Sequence, residues 1–303
     1  MELFIKTLSL QLVMFTYIAC GFIAQKLKLI NDEGRSTLIN ITMDILMPIM
    51  IFKSFTGIDP EILISALPIL LMALLVCAYS FFIGRFAYPK ARQDKKTVLH
   101  YDTLIGNVSF AGIPLAQSLY GNTGVIYSSV YTLVTRVIMW TVGLSLFGGE
   151  KSSLKATLKK LATNPNIIAT FVGMLWCLLR LPVPEFMAQA FSGVSACVAP
   201  ISMIIVGSVI ATVELRELYD EYMLRYCFIR LMLIPLIALG ICRLLSFDAV
   251  QSGTVLVLSA MPAPSTSAIL AGKYGGNLHY ASKLLFVSNI LSIITVPIMM
   301  LFI

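Results

Sequence analysis

Ten apolar windows of roughly 20 residues each follow one another along the chain, which is the length that a helix needs to cross the hydrocarbon core of a bilayer. They fall at residues 3–24, 36–55, 62–84, 98–119, 124–147, 165–181, 187–213, 226–245, 250–271 and 284–303 of a 303-residue sequence. Nothing is left over for a separate soluble domain. Each window reads as one span, and the chain as an all-α polytopic membrane protein. Composition excludes the soluble alternative. Charged residues make up 12% of the chain and apolar residues 58%, whereas a solvated globular surface carries roughly 25% charge. The first window follows Glu2 rather than a basic stretch and shows no A-x-A cleavage pattern, so it is expected to be a span and not a signal peptide.

The basic residues supply the orientation. Sixteen Lys and Arg fall in the loops after odd-numbered windows, including Lys90, Arg92, Lys95, Lys96, Lys151, Lys155, Lys159 and Lys160. Only four, Lys6, Lys53, Arg180 and Arg243, lie on the other side, and two more, Arg136 and Arg230, lie within windows. Cytoplasmic loops are enriched in Lys and Arg. The bias therefore places the odd loops in the cytoplasm and both termini outside. Ten spans divide into five plus five, and an odd-numbered repeat must insert upside-down relative to its twin. Residues 1–147 are expected to form the first five-helix repeat, 148–164 a cytoplasmic linker, and 165–303 the second, inverted repeat. Weak internal matches agree with the division: Tyr120-Gly121 with Tyr274-Gly275, Val134-Thr135-Arg136-Val137 with Val287-Ser288-Asn289-Ile290, and Asn107 with Met261.

Spans 4 and 9 carry the chemistry. Span 4 contains Gly106-Asn107-Val108-Ser109, followed by Ile113-Pro114 and Gln117; span 9 contains Met261-Pro262-Ala263-Pro264-Ser265-Thr266. Proline removes a backbone donor and clashes with the preceding turn, so each helix must bend or open there. A lone proline usually means only a kink in a packed helix. Breaks at corresponding positions of two halves point instead to a transporter binding site. Backbone opened at membrane depth is tolerated only against protein or a water-filled cavity, and half-helix N-termini facing such a cavity attract anions.

These segments resemble the auxin efflux carrier family. The resemblance rests on Leu46-Met47-Pro48, the Gly-Asn-x-x-Phe-x-Gly-Ile-Pro-Leu stretch at 106–115, Asn164-Pro165, Ala199-Pro200, Ala260-Met261-Pro262-Ala263, Leu270-Ala271 and Pro297, and it covers essentially the whole chain. It implies a ten-helix inverted-repeat fold with crossed, Pro-broken helices 4 and 9, and transport of small organic anions: auxin in plant members, dicarboxylates such as malate or malonate in bacterial ones. The absence of a long central hydrophilic loop resembles the bacterial malate/malonate-permease branch, hence a location in the cytoplasmic (inner) membrane. The chain departs from the family near Arg136, where a neutral residue is usual. A fixed cation there favours a more strongly anionic substrate.

Asn107, Ser109, Pro114, Gln117, Arg136, Pro262, Pro264, Ser265, Thr266 and Asn289 are the expected substrate-site residues. Charges at the bilayer centre are costly and usually pair or face a cavity. Two readings of Arg136 stay open. It either forms a structural pair with Asp44 or clamps a substrate carboxylate, for which its planar fork is suited; in the second case Asp44 balances charge or carries a coupling proton. Arg230 is expected to snorkel toward the cytoplasmic face, and His100 and Asp102 to anchor the start of span 4 at that interface.

The reading is an alternating-access carrier of small carboxylates. A sodium- or proton-coupled symporter or antiporter of related crossed-helix fold is the alternative. A non-transporting sensor or scaffold would gain nothing from opening two helices in lipid. Walker A, H-E-x-x-H, G-x-S-x-G and dinucleotide patterns are absent, so no enzyme is expected. Six cysteines in apolar stretches read as small buried hydrophobes rather than a metal or disulfide framework. The expected partners are a small organic anion and the lipid bilayer; a homodimer is compatible with the sequence, nucleic acid is not expected, and no cofactor or metal is called for.

Overall fold

A computed structural model describes residues 2–148, 159, 162–212, 220–274 and 276–303. Of the expected linker and loop cations, Lys151, Lys155, Lys160 and Arg216 lie outside the described residues. Every regular element among the described residues is a helix. In chain order these are α1 (Glu2–Lys26), α2 (Asp32–Ser54), α3 (Glu61–Phe86), α4 (Gln93–Leu104), α5 (Ile113–Ile138), α6 (Pro165–Leu178), α7 (Glu185–Ile210), α8 (Glu221–Leu244), α9 (Ala249–Ser259), α10 (Ser265–Tyr274) and α11 (Leu278–Met299). Seven helical stretches are long and apolar enough to cross a membrane, the α4–α5 run among them; α6 and α9 are shorter apolar helices. Large apolar side chains such as Ile64, Leu67, Phe82 and Phe171 point outward, as a lipid solvent requires. The chain is an integral, polytopic membrane protein.

Polar residues at the helix starts satisfy amide groups that have no partner inside a helix. Asn164 accepts from the amides of Asn166 and Ile167 at the start of α6, and Asp220 from that of Tyr222 at the start of α8. Asp248 and Gln251 form a reciprocal capping box on α9. Proline then shapes the helix interiors. Wide π turns at Thr42–Leu46, Val108–Gly112 and Ile229–Leu233 each end just before Met47-Pro48, Ile113-Pro114 and Ile234-Pro235. The ring would strike the carbonyl one turn back in a regular helix, and a widened turn relieves that clash. A fourth π turn, Met139–Gly143, follows α5 without a proline. Gly121, at φ 61° and ψ −143°, breaks α5 into two directions, a conformation that suits glycine.

Close helix crossings rely on missing side chains. A Cβ on Gly21 of α1 would lie 2.0 Å from the carbonyl oxygen of Ile204 in α7, and one on Gly207 would lie 1.9 Å from that of Ile18. Small residues let two backbones approach in this way, which supplies packing where no hydrophobic force between helices exists. All six cysteines are free. Four are buried as expected; Cys20 and Cys197 are exposed on α1 and α7 instead.

Candidate functional site

Both expected breaks are present, and they touch. α4 ends at Leu104, Ile105 is extended, and Asn107 takes φ −75° and ψ 54° before the π turn that leads into α5. α9 ends at Ser259, and no helix resumes until Ser265. The Asn107 amide donates to the Pro262 carbonyl at 2.9 Å, across the crossing. Ser288 of α11 completes the second break, its hydroxyl accepting from the Ala263 amide at 3.1 Å.

Arg230 holds the crossing from below. Its Nε donates to the Met261 carbonyl at 3.0 Å and its Nη1 to the Thr103 carbonyl at 3.2 Å. A guanidinium thus serves both opened backbones at once, where carbonyls at the C-terminal end of a helix carry partial negative charge. The sequence expectation that Arg230 snorkels is corrected: only 2% of the residue is exposed. The π turn at Ile229–Leu233 belongs to the same helix and lies within the bundle. Gly106 makes the approach possible, since a Cβ there would lie 1.9 Å from Arg230 Nη2 and 3.0 Å from the Met261 carbonyl oxygen. Asp102 and His100, expected at the interface, are also buried, Asp102 completely.

On one side of the crossing lies a narrow cleft of about 50 Å³. Its lining includes Asn107, Ser109, Arg136, Pro264 and Thr266 of the expected site, with Thr135, Met139 and Met43. Arg136 Nη2 donates to Ser109 Oγ at 3.0 Å. Thr266 Oγ1 and Tyr101 Oη lie 3.0 Å apart. The side-chain amide nitrogen of Asn107, Nδ2, is buried and has no hydrogen-bond partner. A buried donor without a partner costs about 1–3 kcal/mol, so a ligand oxygen in the cleft would relieve it. Among the described residues no carboxylate forms an ion pair with Arg136. Arg136 also lines an adjoining small hollow of about 10 Å³ with Ser129, Thr132, Asn164, Asn166 and Thr170.

A scan for related families finds a match to the description "Membrane transport protein" over residues 8–157 and again over 150–300. The chain belongs to this family, that of the auxin efflux carriers. Among its relatives is an uncharacterized transporter of Methanothermobacter thermautotrophicus, 25% identical over 97% of this chain and 98% of that protein. A second uncharacterized transporter, from Methanocaldococcus jannaschii, is 20% identical over 94% of this chain and 95% of its own length. A protein of Rhizobium meliloti carries the provisional name of a malonate transporter; it is 22% identical over 95% of this chain and 93% of itself.

The other expected site residues of this family member lie elsewhere. Pro262 and Asn289 line a separate small hollow of about 20 Å³ with Gln11, Met14 and Ser292, and Asn289 Nδ2 already donates to the Leu285 carbonyl at 2.8 Å. Gln117 donates to Ser195 Oγ at 2.9 Å, and neither it nor Pro114 lines these three hollows. The side chain of Ser265 lies outside the described residues. Asp44 sits in the π turn of α2 with its side chain exposed, and the ion pair with Arg136 is not formed. Sequence reasoning missed Tyr101 and Thr135, which lie in helical runs without any local signal, and Asn166, whose neighbour Asn164 reads simply as a helix cap.

Proposed function

We propose that this protein is a secondary transporter that moves small organic anions by alternating access, with the Arg136 cleft at the helix crossing as its substrate site. The proposed substrates are carboxylates, dicarboxylates of the malonate or malate type before auxin-like monocarboxylates. The observation that carries this reading is Arg136 itself: a cleft-lining guanidinium bonded to a serine hydroxyl and, among the described residues, to no carboxylate. Its remaining donors can take a carboxylate two at a time, and Asn107 Nδ2 and the Thr266 hydroxyl stand ready for the other end of a diacid. The provisional name of the Rhizobium relative supports malonate as the first substrate to test.

The reading includes the ten-span arrangement as inverted repeats 1–147 and 165–303 joined by a cytoplasmic linker at 148–164, with both termini outside a bacterial inner membrane. It admits a homodimer. One repeat-built bundle rocks against the other around the crossing. Exporting one net negative charge down an inside-negative potential releases about 2.3 kcal/mol per 100 mV, so efflux of an anion needs no further driving force, whereas uptake of a dianion needs a coupled cation.

Radiolabelled malonate exchange in proteoliposomes tests the assignment. Arg136→Gln should raise the half-saturating concentration about tenfold to a hundredfold, the loss of a charged hydrogen bond of about 1.5–3 kcal/mol. Unchanged saturation in that variant would remove Arg136 from the site.

A further inference from the structure

The buried acid beside the crossing has no role in the substrate cleft. Asp102 stands on the last turn of α4, fully buried, and neither carboxyl oxygen makes a hydrogen bond. Ser267, in the first turn of α10, is fully buried as well, and its hydroxyl is likewise without a partner. Ser267 and Arg230 are the polar groups that act on the carboxyl. Tyr226 and Arg230 lie one turn apart on α8, and both reach the end of α4: Tyr226 Oη donates to the Asp102 carbonyl at 3.4 Å and Arg230 Nη1 to the neighbouring Thr103 carbonyl. Tyr88, Tyr101, Tyr226 and Tyr280 are further titratable groups around the carboxyl, from the turn after α3, from α4, from α8 and from α11. Arg230 is a cation that acts on it.

We propose that Asp102 is a proton-binding site whose charge decides whether Arg230 ties the two broken helices together. An uncharged carboxyl leaves the guanidinium on the Thr103 and Met261 carbonyls, the arrangement observed. The added proton sits on a carboxyl oxygen, and the new O–H donates to the vacant Ser267 hydroxyl oxygen. When the proton leaves to water, the buried carboxylate has the Ser267 hydroxyl as its near donor, too little to offset the burial of a charge. The nearest relief is the guanidinium of Arg230, because an ionised acceptor binds it more strongly than a neutral carbonyl does. Recruiting that group toward Asp102 frees the Met261 carbonyl and loosens the crossing next to the substrate cleft. One proton taken up on one side of the membrane and released on the other would couple the movement of a dianion to the proton gradient. The role that the sequence analysis considered for Asp44 thus passes to Asp102, since Asp44 is exposed.

The coupling half of this inference rests on the transporter reading above; the proton site does not, and two measurements separate them. Infrared spectra of the reconstituted protein without substrate report protonated carboxyl groups directly. The expected result is a carboxylic-acid C=O band at neutral pH that is lost in Asp102→Asn, kept in Arg136→Gln and displaced in frequency in Asp102→Glu. A band shared unchanged by wild type and Asp102→Asn, or unmoved in Asp102→Glu where the asparagine variant does not insert, overturns the site. In the second measurement, radiolabelled malonate uptake driven by an inward proton gradient is compared with malonate exchange at equal pH. Loss of the gradient-driven component in Asp102→Asn with exchange still measurable supports coupling, and equal stimulation of both proteins by the gradient overturns it. Failure of wild type to exchange malonate counts against the substrate reading alone, and the infrared band then decides the proton site.

Discussion

Arg230 donates from Nε to the Met261 carbonyl at 3.0 Å and so ties α8 to the break between α9 and α10. Through Nη1 the same guanidinium holds the end of α4, 127 residues away in sequence. Two opened backbones in a membrane protein thus share one fixed cation.

Replacing this cation strands both carbonyls. Arg230→Met should lower stability by about 2–6 kcal/mol, taking about 1–3 kcal/mol for each of the two buried acceptors left without a partner. Arg230→Lys should lose less, since it keeps the charge but not the fork that reaches two carbonyls. Thermal unfolding of the purified variants in detergent would rank wild type, lysine and methionine in that order.

Gly106→Ala should impair transport and lower stability. The new Cβ would overlap Arg230 Nη2 and press on the Met261 carbonyl, and overpacking of this kind costs about 1–3 kcal/mol. Gly193→Ala in α7 is the control. Nothing lies within 4 Å of a Cβ there, and alanine is favoured over glycine inside a helix by about 1 kcal/mol. Unfolding midpoints should move in opposite directions for the two variants.

Malonate exchange should be indifferent to sodium. In a crossed-helix site, opened carbonyls are the natural ligands for that ion, and here the Thr103 and Met261 carbonyls are already bonded to Arg230. Equimolar replacement of sodium by choline is the measurement. A strong loss of exchange in choline would show that sodium finds other ligands.

Asp220 should give stability an acid limb. Burial pushes its carboxyl up, but the 2.6 Å bond from Lys95, the amides of Tyr222 and Met223 and the Lys95 charge outweigh this and hold it below the usual carboxylate range. The folded state therefore binds its proton later than the unfolded chain as pH falls. The contribution is complete above the unfolded value of about 3.9 and disappears as pH drops through the folded one. Asp220→Ala should cost about 1–2 kcal/mol at neutral pH, mainly as a lost helix cap, and should flatten that limb in unfolding curves recorded against pH.

The sites of the two breaks were legible because proline and glycine act locally. Pro262 and Pro264 interrupt a helix whatever packs against it, and the polar residues beside them announced a cavity. The cleft was legible in part for the same reason: Asn107, Ser109, Pro264 and Thr266 follow the breaks along the chain. Asn289 and Pro262 line a different hollow, together with Gln11 and Met14 of α1, a neighbourhood set by distant packing that no local pattern announces. Asp102 was misplaced by its surroundings in sequence. Gln93, Asp94, Lys95 and Lys96 make the start of α4 look interfacial, yet every residue from Val98 to Leu104 is buried, since α4 runs inward from that polar start.

Local chemistry, then, was enough to determine the membrane as solvent, the helical class and the two opened helices: each depends on apolar length or on a residue's own backbone, and neither needs a partner. Tertiary structure alone decided what serves the opened backbones. Arg136 and Arg230 are alike in sequence, two arginines in apolar windows. Only their distant neighbours separate them: Ser109 and a cleft for one, the Thr103 and Met261 carbonyls for the other. A buried charge takes its role from what satisfies it, and that is set by which helices cross.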